Sequence, residues 1–164
     1  MKPIPQQPLP GQESVWDYPR PPHLEPTPKT IRVVFDGQEI ALTNKALRML
    51  ETSHPPTYYL PIADVGKQYL RPSGRTSFCE FKGQAQYFDV CVGERIAPQA
   101  AWYYADPAPR YPHLQGHIAF YAHLMDACYV NDELVRPQEG GFYGGWITSD
   151  LAGPFKGIPG SWGW

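Results

Sequence analysis

The chain has 164 residues, with 14 Lys and Arg against 16 Asp and Glu, so its formal charge at pH 7 is -2. This length predicts one domain with a single hydrophobic core. The balanced charge argues against DNA or RNA as a partner, because nucleic-acid-binding proteins present a basic face to the phosphates. No apolar run reaches the roughly 18 residues of a membrane helix, and the first ten residues lack the apolar core of a signal peptide. We therefore expect a soluble, cytoplasmic protein without a membrane segment.

The composition favours β-structure. Aromatic residues make up 14% of the chain, and 15 Gly with 20 Pro favour short strands and tight turns over helices. The three cysteines, Cys79, Cys91 and Cys128, are odd in number and have no CxxC spacing, so the sequence encodes neither a disulfide framework nor a structural zinc site. Reduced thiols fit a cytoplasmic protein. The sequence leaves the cofactor unknown.

Residues 1–29 are predicted to form a proline-rich arm. Nine prolines fall within residues 1–28, and proline lacks the amide donor that a helix or an inner strand requires. We expect the arm to be disordered or to lie on the surface, and to be dispensable for folding. Its apolar residues Val15, Trp16 and Tyr18 are expected either to touch the core or to dock on a partner.

Residues 30–164 are predicted to form the β domain. Asp36-Gly37 and Asn131-Asp132 each lie between apolar runs and predict two hairpins, because these residues tolerate the positive φ of a tight turn. Further strands are expected at 57–60, 76–81, 85–92, 100–105 and 116–121, where apolar or aromatic residues recur between turn signals.

Two short helices are predicted within this domain. Residues 44–50 place Ala46, Leu47 and Leu50 at helical spacing behind a polar cap, and residues 63–69 follow Pro61 with a carboxylate near the first turn. The tail from Gln138 onward is rich in Gly and aromatic residues. It is too apolar for a free linker, and we expect it to cover the domain.

Several segments together resemble a bacterial family known as domain of unknown function 427. They are VVFDGQEIA, ALRMLETSHPPTYYLPIADV, CEFKGQAQYFDV, AAWYYADP, GHIAFY and ACYVNDELV, between about residues 31 and 136. The resemblance implies a single compact antiparallel β domain, tent-like and similar to methionine sulfoxide reductase B and the Mss-four-like zinc proteins. It implies no activity. The family is also labelled nucleotidyltransferase-like, but this chain has no Asp-x-Asp pair to hold a metal-bound triphosphate.

The same resemblance suggests a set of polar site residues. The central hypothesis is a small-molecule pocket around Glu51, Asp64 and Lys82, in which Glu51 and Lys82 pair and shift each other's pKa. A purely structural ion pair is the alternative. Aromatic side chains are mostly expected in the core, with one or two lining the pocket. The candidate ligand-binding residues are Arg48, Glu51, Tyr59, Asp64, Lys82, Tyr87 and Trp102.

Three other interpretations stay open or are disfavoured by the residues. Cys79 lies close to Lys82, which would favour a thiolate and a redox role, although a buried structural cysteine is the commoner case. The Pro-rich arm or the Trp-rich tail with Trp162 and Trp164 would serve a protein-interaction module. His113, His117 and His123 with Asp126 lack a spacing that fits a metal, so no metal site is predicted.

Overall fold

A computed structural model describes residues 2–164, and Met1 lies outside the described residues. The backbone is mainly β-strand, and the helical segments are five short 3-10 turns. The turns are Val15–Asp17, Ile62–Asp64, Lys67–Tyr69, Pro112–Leu114 and Ala122–Leu124. The strands are β1 (Glu13–Ser14), β2 (His23–Pro26), β3 (Ile31–Phe35), β4 (Gln38–Thr43), β5 (Leu47–Leu50), β6 (Thr57–Pro61), β7 (Leu70–Cys79), β8 (Gly83–Val92), β9 (Arg95–Tyr103), β10 (His117–Phe120), β11 (Ala127–Val130), β12 (Glu133–Leu134), β13 (Arg136–Pro137), β14 (Trp146–Ile147) and β15 (Leu151–Ala152).

Two antiparallel sheets form the body of the domain. The larger has seven strands in the order β2-β5-β6-β10-β9-β8-β7, and the smaller has four in the order β12-β11-β3-β4. One face of each sheet contributes to a common core, which includes Val33 and Ile40 from the small sheet and Leu60, Val90 and Phe120 from the large one. The predicted compact, mainly antiparallel β domain is confirmed.

Both predicted hairpin turns are present. Asp36 and Gly37 have φ of 49° and 74°, and Asn131 and Asp132 have φ of 47° and 65°. Two consecutive positive φ angles match the twist of the flanking strands, and Asp, Asn and Gly reach them at low cost. These turns pair β3 with β4 and β11 with β12.

The predicted helix at residues 44–50 is wrong, because this segment contains strand β5. Arg48 pairs with Glu25 of β2 on one side and with Tyr58 of β6 on the other. Helix propensity is a weak preference that tertiary contacts override, and a strand flanked on both edges satisfies all its backbone groups. Met49 and Leu50 are buried there.

The region predicted to be helical at residues 63–69 holds two 3-10 turns, Ile62–Asp64 and Lys67–Tyr69, instead of a continuous helix. Between them Val65 forms an antiparallel bridge with Ala41. The Gly66 amide donates to the Ile40 carbonyl at 2.9 Å. This pairing to the edge of β4 holds the chain extended and interrupts the helical conformation.

The segments at the two ends of the chain pack on each other. Strand β1 pairs in parallel with β15, and Val15 is fully buried beside Leu50 and Leu151. Strand β2 is an edge strand of the large sheet, the position in a sheet that tolerates proline. The predicted boundary between residues 29 and 30 falls after β2.

The part of the chain that the structure describes contains no helix long and apolar enough to cross a bilayer. Its three cysteines are free, with Cys91 and Cys128 buried and Cys79 half-buried.

Candidate functional site

A cleft with a volume of about 380 Å³ opens on the face of the large sheet that points away from the small sheet. Strand alternation creates this face, because successive side chains of a strand point to opposite sides. In β6, Tyr58 and Leu60 enter the common core whereas Tyr59 belongs to the cluster under the cleft, and in β9 Trp102 belongs to that cluster too.

The floor of the cleft is aromatic. The rings of Trp102 and Tyr121 lie 4.5 Å apart between centroids, and Tyr59 meets Trp102 edge-on at 6.4 Å. Tyr104 lines the cleft as well. Burial raises the pKa of Tyr59, Tyr104 and Tyr121, so these hydroxyls stay protonated at neutral pH.

The β7–β8 hairpin supplies one polar wall. Ser77 and Cys79, two residues apart in β7, both line the cleft, and the Ser77 hydroxyl shares a hydrogen bond of 2.8 Å with the Tyr87 hydroxyl. Lys82 lies in the turn that joins the strands and is half-buried. No salt bridge or side-chain hydrogen bond of Lys82 is found within residues 2–164.

Gln138 fixes the tautomer of His54 at the other wall. The Gln138 Oε1 accepts from the Gly145 amide at 3.0 Å, and its Nε2 donates to the Lys156 carbonyl at 2.8 Å. The amide orientation is thereby set, so the second Nε2 hydrogen points to His54 Nδ1 at 3.0 Å. His54 Nδ1 must then be the acceptor, and the ring proton sits on Nε2.

The environment of His54 keeps this ring neutral. Burial, with the positive charges of Lys156, Lys82 and Arg20 nearby, lowers the pKa of His54 to about 3. Its Nε2 lies 3.6 Å from Glu51 Oε2, and Arg20 Nη2 approaches the same oxygen at 3.6 Å. Glu51 therefore faces Arg20 and a neutral imidazole.

The C-terminal segment closes the cleft. A side chain at Gly144 would overlap the Trp102 ring, so only glycine allows this backbone to pass so near the floor. Tyr143 contacts His54 edge-on at 5.3 Å between centroids. Lys156 Nζ donates to the backbone oxygen of Trp164 at 3.2 Å.

The structure brings four of the seven predicted site residues together. Glu51, Lys82, Tyr87 and Trp102 line the cleft, and Tyr59 packs beneath them. The expected pair between Glu51 and Lys82 is not formed, since Glu51 contacts Arg20 and His54 instead.

Arg48 and Asp64 lie elsewhere. Arg48 projects from β5 on the side opposite to Met49, where both its terminal nitrogens donate to Glu13 at 2.9 Å and one reaches Glu25 at 3.3 Å. Asp64 is exposed and accepts from Thr43 Oγ1 at 2.7 Å. Both residues make structural contacts outside the cleft.

Sequence reasoning did not identify His54, Gln138 or Lys156. These residues come from three separate loops, and no spacing in the sequence links them. The aromatic floor did carry a signal, because Trp102 and Tyr104 alternate in AAWYYA and Tyr121 ends GHIAFY.

Residues 2–164 hold no group of three or more His, Cys, Asp or Glu side chains arranged to bind a metal ion. Asp126, considered with the histidines above, is bound by both terminal nitrogens of Arg95 at 2.6 Å. Cys79 lines the cleft, whereas Cys91 and Cys128 are buried in the sheets.

Residues 23–131, more than half of the chain, match a family model described as Domain of unknown function (DUF427). The match contains the sheet face under the cleft and the Lys82 turn, and it ends before Gln138, Gly144 and Lys156, which close the cleft. No curated protein matches the chain.

Proposed function

The chain belongs to the DUF427 family, and we propose that it binds a small molecule in the cleft between the large sheet and the C-terminal segment. The observation that carries this proposal is the combination of an aromatic floor, formed by Tyr87, Trp102, Tyr104 and Tyr121, with polar groups that converge on it. A volume of about 380 Å³ lies within the range of ligand pockets, which are mostly apolar with a few placed polar groups.

The floor suits a ligand with a planar ring. Trp102 and Tyr121 offer ring faces and edges, and aromatic pairs add about 0.5–1.5 kcal/mol beyond the area they bury. Tyr87 and Tyr104 line the cleft, and we expect their hydroxyls to orient a polar group of the ligand. Asp64, exposed at its turn, has no part in this site.

The residues that close the cleft and those that form its floor come from different parts of the chain. The floor lies in the region that matches the family, whereas Gln138, Gly144 and Lys156 lie after it. We propose that the family region provides the binding surface and that the C-terminal segment adjusts which ligand fits. The free cysteines further support a reducing compartment such as the cytoplasm as the setting.

A ligand screen by thermal shift tests the proposal, with a variant that narrows the cleft. Cys79→Leu adds bulk to a side chain that lines the cleft, and Gln84→Leu places the same apolar side chain at an exposed position of the same hairpin. A compound at about 100 times its Kd stabilises the native state by about 2.7 kcal/mol, a shift of several degrees in Tm.

We expect such compounds to raise the Tm of the unmodified protein and of Gln84→Leu, and to lose this effect in Cys79→Leu. A Tm shift that survives in Cys79→Leu would place the binding elsewhere. A diverse library without a single stabilising compound would also refute the proposal.

A further inference from the structure

We propose that the ligand of this cleft carries a negatively charged group, a carboxylate or a phosphate, that binds to Lys82 and Lys156. This inference rests on the proposed function, and it names the chemical class of the ligand. It follows from how the charged side chains around the cleft are already partnered.

Lys82 is the first observation. Its side chain lines the cleft from the β7–β8 turn and is half-buried, yet its ammonium has no carboxylate partner in the part of the chain that the structure describes. An anion placed beside this ammonium would form a charge-assisted hydrogen bond with it.

Lys156 is the second cation of the cleft. Its Nζ donates to the backbone oxygen of Trp164 at 3.2 Å and lies 5.9 Å from the centroid of the Tyr143 ring. An ammonium has three donors, so further hydrogens stay available to a ligand. Within residues 2–164 this lysine makes no salt bridge with an Asp or Glu side chain.

The carboxylates at the cleft do not neutralise these lysines. Glu51 faces Arg20 and His54, each at 3.6 Å, and forms no salt bridge with either lysine. Glu80 lies in the exposed part of the hairpin turn at the rim. Neither lysine is therefore paired with a carboxylate side chain of the cleft.

His54 supports the same conclusion through its surroundings. His54, Lys82 and Lys156 all line this cleft, and burial together with the positive charges of Lys156, Lys82 and Arg20 lowers the pKa of the imidazole. Because Gln138 holds Nδ1 as an acceptor, the ring presents only an Nε2 hydrogen. The region thus offers donors, and a ligand group that accepts hydrogen bonds suits it.

Three phenyl compounds separate the charge of the ligand from its ring. Phenyl phosphate and benzoate carry the two candidate anions, and benzyl alcohol is their neutral counterpart. Binding is measured by calorimetry and by the NMR signal of the Trp102 indole. The variants are Lys82→Met and Lys156→Met, with Lys67→Met as the control, because Lys67 is exposed in a turn outside the cleft.

We expect at least one anion to bind about tenfold more tightly than benzyl alcohol, and this advantage to fall about tenfold in each cleft variant. Lys67→Met should bind as the unmodified protein does. A salt series on the unmodified protein tests the same point without a variant. Added salt should weaken the binding of the two anions and leave the affinity for benzyl alcohol unchanged. Comparison of phenyl phosphate with benzoate identifies which anion the site prefers.

Equal affinity for benzyl alcohol and the anions, unchanged in both cleft variants, would overturn this inference and leave small-molecule binding intact. A library in which only neutral compounds bind at the cleft would also overturn it. If no compound of any charge binds there, the proposed function falls as well.

Discussion

The tautomer of His54 is set by the side-chain amide of Gln138, which is distant in the sequence. Gln138 uses all its polar atoms on Gly145, Lys156 and His54, so the imidazole has one acceptor nitrogen that faces a donor. A proton on Nδ1 would place two donors against each other, in a buried site near three cations. Folding therefore favours the neutral ring.

This arrangement predicts acid sensitivity. The pKa of His54 is about 3 in the fold, against an ordinary value of 6.5. Because folding lowers this pKa, the contribution of His54 to the unfolding free energy is complete above pH 6.5. This contribution is lost as the pH falls towards 3. The loss is about 2 kcal/mol at pH 5, measurable by urea unfolding between pH 7.5 and pH 4.

The variant His54→Gln should flatten the pH dependence of the unfolding free energy, whereas His113→Gln, at an exposed position, should keep it. Some pH dependence of the unfolding free energy should persist in His54→Gln, because burial also lowers the pKa of His123. An unchanged slope in His54→Gln would show that this imidazole is not the group responsible.

At the level of single residues, sequence reasoning identified part of the site. Glu51, Lys82, Tyr87 and Trp102 were predicted to line a pocket and do line the cleft. Arg48 was placed there from the family resemblance, in a segment predicted as a helix, but it lies in a strand, where a side chain faces one side only. That side is set by pairing partners such as Tyr58, which the sequence does not reveal.

At the level of elements, the segment from Gly140 to Gly145 is the cap that approaches the floor. A Cβ at position 144 would overlap the Trp102 ring, and overpacking of this kind costs about 1–3 kcal/mol. We therefore expect Gly144→Ala to lower the unfolding free energy by about 1–3 kcal/mol in chemical denaturation and to shift the Trp102 fluorescence.

Gly163→Ala is the matched control, since nothing lies within 4 Å of a side chain there. Its effect should stay within about 0.5 kcal/mol. Equal stability of both variants would mean that the cap is not held against Trp102 in solution.

Elements with local signals were predictable, and elements fixed by distant partners were not. Each of the two hairpins has its turn residues next to each other in the sequence, so Asp36-Gly37 and Asn131-Asp132 were sufficient to predict both turns. The segment that holds β5 was predicted as a helix because Ala46, Leu47 and Leu50 have helical spacing. Only the pairing of β5 with β2 and β6 on its two edges shows that it is extended.

At the level of the whole molecule, the N-terminal residues are predicted to stabilise the fold. Proline density alone predicts that they are dispensable, but Val15 is fully buried, Tyr18 is nearly so, and Glu13 binds Arg48. Removal of residues 2–22 should lower the unfolding free energy by about 3 kcal/mol or more, because buried apolar area is lost and Arg48 loses its carboxylate partner.

Denaturant unfolding of two truncations measures this effect. Removal of residues 2–5 is the control, since Ile4 is 91% exposed and the contacts of Gln6 with Gly153 remain. If the longer truncation is as stable as the shorter one, the N-terminal contacts contribute nothing to the fold.

The parallel pairing of β1 with β15 also has a consequence during protein synthesis. Glu13 pairs with Leu151, so the first strand leaves the ribosome long before its partner has been made. At roughly 5–20 residues per second, this wait lasts roughly 7–28 s. Lys156 is translated later still, and a nascent chain therefore has no complete cleft until this residue has been made.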